Sequence, residues 1–362
     1  MEPSVTVVGG GYGGVAVAKA LDPVADVVLV EPRDTFVHTV ATLRALVDPQ
    51  WTDQIFLPYR RLLTRGRVVR DTATSVDETG VTLASGARLT PDFVVLATGS
   101  GYPFPAKMDA PDSSGATARI RETHAALAPA ERVLLLGAGP VGLELAGEIR
   151  AAWPEKSITI VDPAPDILSG QFSGELRAEL RRQLDEFGIQ LLLGTSLREQ
   201  PPVEFAVAKT FTVLAGDGSE LTADIWFRCY GVVPATGYLS GALAAARRPD
   251  GHVEVTGQLR LPGQHNVFAI GDLTALPEAK MARAAAQHAA VVAANITALA
   301  NGGELISYTP PPPGISLPLG PAGGASYSED RGFLGPEGTA EAKGRHLRLD
   351  AYRELLGLTG NS

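Results

Sequence analysis

Two glycine-rich turns carry the most explicit chemistry in this chain. The first, Gly9-Gly10-Gly11-Tyr12-Gly13-Gly14, follows the apolar run Val5-Thr6-Val7-Val8, and the second, Gly137-Ala138-Gly139-Pro140-Val141-Gly142, follows Val133-Leu134-Leu135-Leu136. Both read G-x-G-x-x-G. The first glycine permits a tight turn, the second lets backbone approach a pyrophosphate, and the third lets the next helix pack closely on its strand. The pyrophosphate then meets a helix N-terminus, where free N–H groups and the helix dipole favour an anion. Each turn also has a carboxylate where a ribose needs one. Helix-like residues 15–21 lead to a strand over 26–30 that ends in Glu31, and residues 143–152 lead to a strand over 157–161 that ends in Asp162. A carboxylate about 20 residues beyond the turn accepts hydrogen bonds from an adenosine ribose. Two dinucleotides are therefore expected on one chain.

Composition narrows the partners. The chain has 362 residues, 45% of them hydrophobic and 20% charged, which predicts two or three ordinary globular domains. A net charge of -9 argues against nucleic acid, whose phosphates are held by clustered Lys and Arg. Arg60-Arg61 and Arg181-Arg182 read as solvated helix faces. Nothing approaches a membrane-spanning apolar run, and the first strand begins by Val5, so a cytoplasmic location is expected. Contact with the inner face of a membrane stays open. The single cysteine, Cys229, excludes a C-x-x-C redox disulfide and cysteine-built metal sites, and its apolar neighbours predict a small buried side chain. No metal site is expected.

The elements that must hold these groups repeat. After Glu31, residues 81–83 and 88–89 flank the turn Ala84-Ser85-Gly86, and a buried strand over 93–97 ends at Thr98-Gly99. After Asp162, residues 211–214 and 220–221 flank Gly216-Asp217-Gly218, and a strand over 225–229 ends at Tyr230-Gly231. Each half thus reads as a nucleotide-binding sheet carrying a small β-meander, one unit used twice. Leu176, Leu180, Leu184 and Phe187 recur at helical spacing as core contacts. A short strand over 266–270 ends in Gly271-Asp272 and precedes an alanine-rich helix over 280–300. Pro310 to Pro313 break the pattern, and residues 314–362 predict two or three strands and a short helix over 351–356.

In this order the parts resemble the two-dinucleotide-binding-domain flavoproteins. Within them the chain is similar to type II NADH:quinone oxidoreductases and apoptosis-inducing-factor-like proteins, above all the ferroptosis suppressor proteins. The resemblance rests on residues 36–45, on Ala97-Thr98-Gly99-Ser100 with residues 103–107, on residues 142–149, and on residues 266–272 with Lys280-Met281. It covers nearly the whole chain. It implies an α/β fold of glutathione-reductase-like architecture: two Rossmann-like FAD- and NAD(P)-binding domains, each with a β-meander, and a small C-terminal α+β domain. The expected boundaries are 1–108 with 250–302 for FAD, 109–249 for NAD, and 303–362 for the C-terminal part.

The resemblance assigns FAD to the first fingerprint and the nicotinamide nucleotide to the second. It implies that Glu31 accepts from the FAD ribose, that Arg44 and Val68 line the cofactor, and that Asp272 accepts from the ribityl chain. A carboxylate ending a buried strand needs donors, which supports Asp272 independently; a helix N-cap is the rival reading. Gly231, Lys280 and Met281 complete the expected binding residues. His38, Lys107, Glu144 and Lys343 match positions near the flavin, with surface roles as rivals for His38 and Lys107 and a helix-dipole role for Glu144. An aromatic residue five positions beyond the lysine is replaced here by Arg348, which predicts a changed acceptor pocket.

Asp162 predicts NADH over NADPH. A carboxylate pairs with a free 2′-hydroxyl and repels a 2′-phosphate, and Pro163-Ala164-Pro165-Asp166 supply no Arg to hold one. With no dithiol, electrons must pass from the flavin directly to a second acceptor, and the resemblance makes that acceptor a quinone. Two other readings stay open: a ferredoxin-type or tailoring reductase, and a redox-gated binding protein. The last five residues of the expected helix are too short to signal a membrane by themselves.

Overall fold

A computed structural model describes residues 2–359. Its two parallel sheets are built from apolar runs, valine-rich in the first and leucine-rich in the second, whose central strands are buried as parallel strands require. In the first, strand Ser4–Val8 lies between Asp26–Val30 and Phe93–Leu96, with Arg67–Val69 beyond the former and Val267–Ala269 beyond the latter. In the second, Arg132–Leu136 lies between Ser157–Asp162 and Ile225–Arg228, with Gln190–Leu193 outermost. Both sheets reverse direction of growth at the fingerprint strand. That reversal opens the crevice in which open α/β sheets bind nucleotides.

Helix Tyr12–Leu21 packs on helix Ala282–Asn301, and helix Pro140–Ala152 follows the second fingerprint. The alanine-rich helix starts later than the sequence predicts. Met281 is extended, at φ -143°, and serves as its cap. The small sheets differ as well. The first half has three antiparallel strands, Ala73–Asp77, Gly80–Leu83 and Arg88–Leu89, whereas the second has only the hairpin Phe211–Leu214 and Glu220–Ala223. An isolated bridge between Leu197 and Ala215 stands beside that hairpin, and Pro201-Pro202 in the intervening chain lack the N–H groups a further strand would use.

Strands Ile315–Leu319, Gly323–Ser328 and Gly332–Leu334 form a third antiparallel sheet. It seats on helix Pro140–Ala152 through Gly147, where a Cβ would lie 2.5 Å from the Leu319 Cα. One apolar core runs through all these parts: Leu46 of the first half, Leu143 of the second and Leu317 of the third sheet belong to it. The final helix, Leu349–Leu355, begins slightly before its expected start, and Leu349, Tyr352 and Leu356 pack onto the first half. Among the described residues no helix is long and apolar enough to cross a membrane.

Candidate cofactor and active site

The two fingerprints fold into the same cradle. Gly9 and Gly137 have φ of +104° and +116°, left-handed values that favour glycine. A Cβ on Gly14 would lie 1.8 Å from the Gly9 carbonyl oxygen, and one on Gly142 would lie 1.9 Å from that of Gly137. No larger residue fits either place. Around Gly11 and Gly139, by contrast, a Cβ would meet nothing within 4 Å, leaving room for a ligand to approach the backbone. These two glycines cap helices Tyr12–Leu21 and Pro140–Ala152 without any side-chain hydrogen bond. Helices Ser113–Leu127 and Gly174–Glu186 are instead capped by Asp112 and Ser173. Uncapped N–H groups at the mouth of an open turn suit a pyrophosphate, so the residues fit two dinucleotides. Gly13 packs against Ile270 inside the first half, while Pro140 and Val141 open the second helix.

The two strand-end carboxylates repeat with equal fidelity. Glu31 accepts from the Gly10 N–H at 2.6 Å and the Arg33 N–H at 3.0 Å; Asp162 accepts from the Ala138 N–H at 2.6 Å and the Ala164 N–H at 2.7 Å. Each carboxylate is thus aimed at its own fingerprint by two backbone donors. The Tyr59 hydroxyl donates to the Gly10 carbonyl at 2.8 Å, a contact that sequence spacing did not suggest. Val68 lies on the edge strand beside Leu29.

Asp272 sits in a polar cluster. It accepts from the Ser100 hydroxyl at 2.7 Å, and the Lys107 ammonium, 3.2 Å from the same oxygen, also donates to the Ser100 carbonyl at 2.6 Å. Lys107 is therefore part of the Asp272 cluster and half-buried. Ala97 packs on the first fingerprint, the Thr98 hydroxyl donates to the Ala235 carbonyl at 2.6 Å, and Gly99 accepts from the Ala235 N–H at 3.0 Å. Lys280 donates to the Thr274 and Leu276 carbonyls at 2.8 and 2.9 Å, which fixes the loop around Asp272; burial pushes its ammonium pKa down. Behind Gly271, sequence reasoning missed a trio built on the buried His288. His288 Nδ1 accepts from the Gly271 N–H at 3.0 Å, its Nε2 lies 2.7 Å from Glu278, and Tyr308 donates to Glu278 at 2.7 Å. Burial works against the Glu278 carboxylate, but His288 and Tyr308 outweigh it and hold the carboxyl below its usual range.

Glu144 and Lys343, distant in sequence, meet. The Lys343 ammonium donates to a Glu144 oxygen at 2.7 Å and to the Ser316 carbonyl at 3.0 Å, with both side chains about one-sixth exposed. Arg44 is buried. Its guanidinium grips Glu148 through Nε and through Nη2 at 2.8 Å, and Nη2 also donates to the Gly344 carbonyl at 2.9 Å. Arg348 is exposed, at a left-handed φ of 59°.

His38 is a buried residue and has no exposed surface. Its Nδ1 accepts from the Tyr12 hydroxyl at 3.1 Å and its Nε2 donates to the Leu347 carbonyl at 2.8 Å, one tautomer satisfying both. Burial depresses its pKa to about 4, a shift that Lys343 and Arg353 reinforce and the Leu347 bond opposes. His38, Tyr12, Phe36 and Tyr352 form one aromatic cluster at the last helix, Phe36 stacked on Tyr352 and Tyr12 meeting both edge-on. The surface role weighed for His38 is thereby corrected: it bolts the C-terminal segment to the first half. Cys229 is buried, its thiol pushed up to about 12 by desolvation. A Cβ on Gly142 would lie 3.4 Å from the Cys229 Cβ, as one on Gly14 would from the Ala97 Cβ. Gly231, φ +103°, follows it beside the Arg228 guanidinium. Among the described residues no cluster of His, Cys, Asp or Glu could hold a metal ion.

This paired architecture defines a class of two-nucleotide flavoenzymes. The chain belongs to the pyridine nucleotide-disulphide oxidoreductase family, whose model matches residues 3–291. Within it, the chain is 29% identical to apoptosis-inducing factor homolog B of Dictyostelium discoideum, over 97% of this chain and 96% of that one. It is 30% identical to ferroptosis suppressor protein 1 of Xenopus tropicalis, over 98% and 96%. The sulfide:quinone oxidoreductase of Aquifex aeolicus has the same fold, with a TM-score of 0.64 and 20% identity over 83% of this chain and 77% of that one. The protein is an FAD-dependent NAD(P)H oxidoreductase.

Proposed function

We propose that this enzyme is an NADH:quinone oxidoreductase. The observation that carries the reading is Cys229: the only cysteine is buried against the second fingerprint with its thiol pushed up to about 12. A lone buried thiol has no second cysteine to pair with, so the acceptor must be reached without a disulfide relay within the chain. The bound cofactors supply hydride transfer from dihydronicotinamide to flavin, and the protein supplies binding, orientation and electrostatics. The first fingerprint, Glu31, Val68, Gly271 and Asp272 hold FAD, with Lys107 balancing the Asp272 charge and the Ser100 hydroxyl donating to it. The second fingerprint, Gly231 and Asp162 hold the reductant. The Asp162 carboxylate retains lone pairs for a ribose 2′-hydroxyl and repels a phosphate there, which favours NADH. Glu144 on the first turn after the fingerprint, paired with Lys343, orients the nicotinamide amide. A quinone is the fitting acceptor because it takes electrons directly from a flavin, and one relative in fold bears quinone in its name.

Anaerobic rapid mixing tests this. NADH should bleach the bound flavin much faster than NADPH, and a ubiquinone or menaquinone analogue should restore its colour faster than oxygen does. Asp162→Ala should narrow the preference for NADH by about tenfold or more, the worth of a charged hydrogen bond. If no quinone accelerates reoxidation, the acceptor assignment is wrong; if Asp162→Ala leaves the preference unchanged, the donor assignment is.

A further inference from the structure

Arg44 joins three parts of the molecule at one buried point. It lies on helix Thr42–Val47 of the first half, Glu148 lies on the second fingerprint helix, and Gly344 closes the π-helical turn Ala340–Gly344 of the C-terminal part. The Arg44 and Glu148 side chains are 6% and 4% exposed, and the Trp51 ring lies 5.5 Å from the guanidinium. Burial pushes the Glu148 carboxyl up and Arg44 pulls it back. A bidentate guanidinium fixes both the distance and the plane of a carboxylate, which a lysine does not.

Its partners are the neighbours of the Glu144–Lys343 pair. Glu148 is one helical turn beyond Glu144, on the same side of the helix, and Gly344 directly follows Lys343. Arg44 therefore ties together the two backbones from which the half-buried pair projects. Gly344 also packs tightly, since a Cβ there would lie 3.0 Å from the Pro321 carbonyl oxygen. We propose that Arg44, with Glu148, is the positioning residue of the Glu144–Lys343 pair and makes no cofactor contact with its guanidinium. The role in turnover rests on the reading that this pair orients the nicotinamide.

The holoenzyme with Arg44→Lys, Arg44→Met or Glu148→Gln tests it by three readouts: flavin content, acetylation of Lys343 relative to exposed Lys209 by mass spectrometry, and the anaerobic rate of flavin reduction by NADH. Each folded variant should keep its flavin. Lys343 should acetylate several-fold faster once its carboxylate partner drifts, and reduction should slow by about tenfold to a hundredfold, the scale of a 1 Å misplacement. Adding Lys343→Ala to Arg44→Lys should slow reduction no further than Lys343→Ala alone, as for residues that act as one unit. Arg44→Lys and Glu148→Gln retain a hydrogen bond and carry the test if Arg44→Met does not fold. Unchanged Lys343 reactivity, or a rate that falls only in proportion to lost flavin, would overturn the proposal. Faster acetylation combined with an unaffected rate in Lys343→Ala would keep Arg44 as the positioning residue and remove the pair from the nicotinamide site.

Discussion

The two nucleotide-binding halves share a backbone and differ in what they ask of it. Their fingerprint glycines, strand-tip carboxylates and strand-end contacts coincide to within a few tenths of an ångström, with Gly9 and Gly137 at φ of +104° and +116°. The groups around that common cradle do not. The first half adds the strand Val267–Ala269, the long helix after it and the Asp272 cluster, so its sheet is completed by elements from distant sequence. The second half has a smaller antiparallel addition and leaves Tyr230, Val232 and Val233 exposed beyond its last strand. A tightly held FAD suits the first arrangement, and a nicotinamide nucleotide that enters and leaves suits the second. The C-terminal segment reads the difference: it bonds the first half through His38 and Leu347 and the second through Lys343 and Glu144.

The comparison breaks most sharply at the third glycines. Gly14→Ala should yield protein without flavin, because its Cβ would overlap the Gly9 carbonyl and force the helix from its strand. Gly142→Ala should retain full flavin absorbance yet weaken NADH binding by about a hundredfold, as judged by the concentration needed for half-maximal bleaching. If Gly142→Ala loses flavin instead, the assignment of cofactors to halves is inverted.

A smaller effect separates the His38 bolt from the Lys343–Glu144 contact. Folded His38 binds its proton near pH 4 and an unfolded histidine near about 6.5, so between these values the unfolded chain holds more protons and stability rises with pH. Acidification through that window should remove on the order of 3 kcal/mol through this residue. His38→Gln should lower Tm at neutral pH and give a shallower fall of Tm between pH 6.5 and 4 than the parent protein. Parallel curves would place the acid sensitivity elsewhere.

The smallest effect falls at Cys229, which occupies in the second half the place of Ala97 in the first. Cys229→Ala should cost about 1 kcal/mol of stability, the price of a small buried atom, with turnover on NADH unchanged. Loss of turnover would give the thiol a role that its counterpart cannot have.

Much of this was legible in the chain because it is local. A glycine needed for a left-handed φ, an apolar run of strand length and a carboxylate at a strand tip leave their marks within thirty residues or so. Such patterns located the inner strands of both sheets, the antiparallel strands over 81–83 and 88–89, and the Gly271-Asp272 turn, but neither the edge strand Arg67–Val69 nor strand Ala73–Asp77, which are short and contain no glycine. The start of the alanine-rich helix was less legible, since Lys280 and Met281 are good helix formers whose backbone is drawn out by the loop around Asp272. The third strand missing from the second half was hidden for a related reason: pairing depends on what precedes a hairpin as well as on the hairpin itself.

By itself the sequence determined that two dinucleotides bind and that no dithiol stands between flavin and acceptor. Only the tertiary structure decided which side chains meet. Arg44 finds Glu148 across 104 residues and Gly344 across 300, and Lys343 finds Glu144 across 199. No periodicity encodes such pairs. They follow from burial, because a charge withdrawn from water must find its opposite wherever the packed chain brings one near.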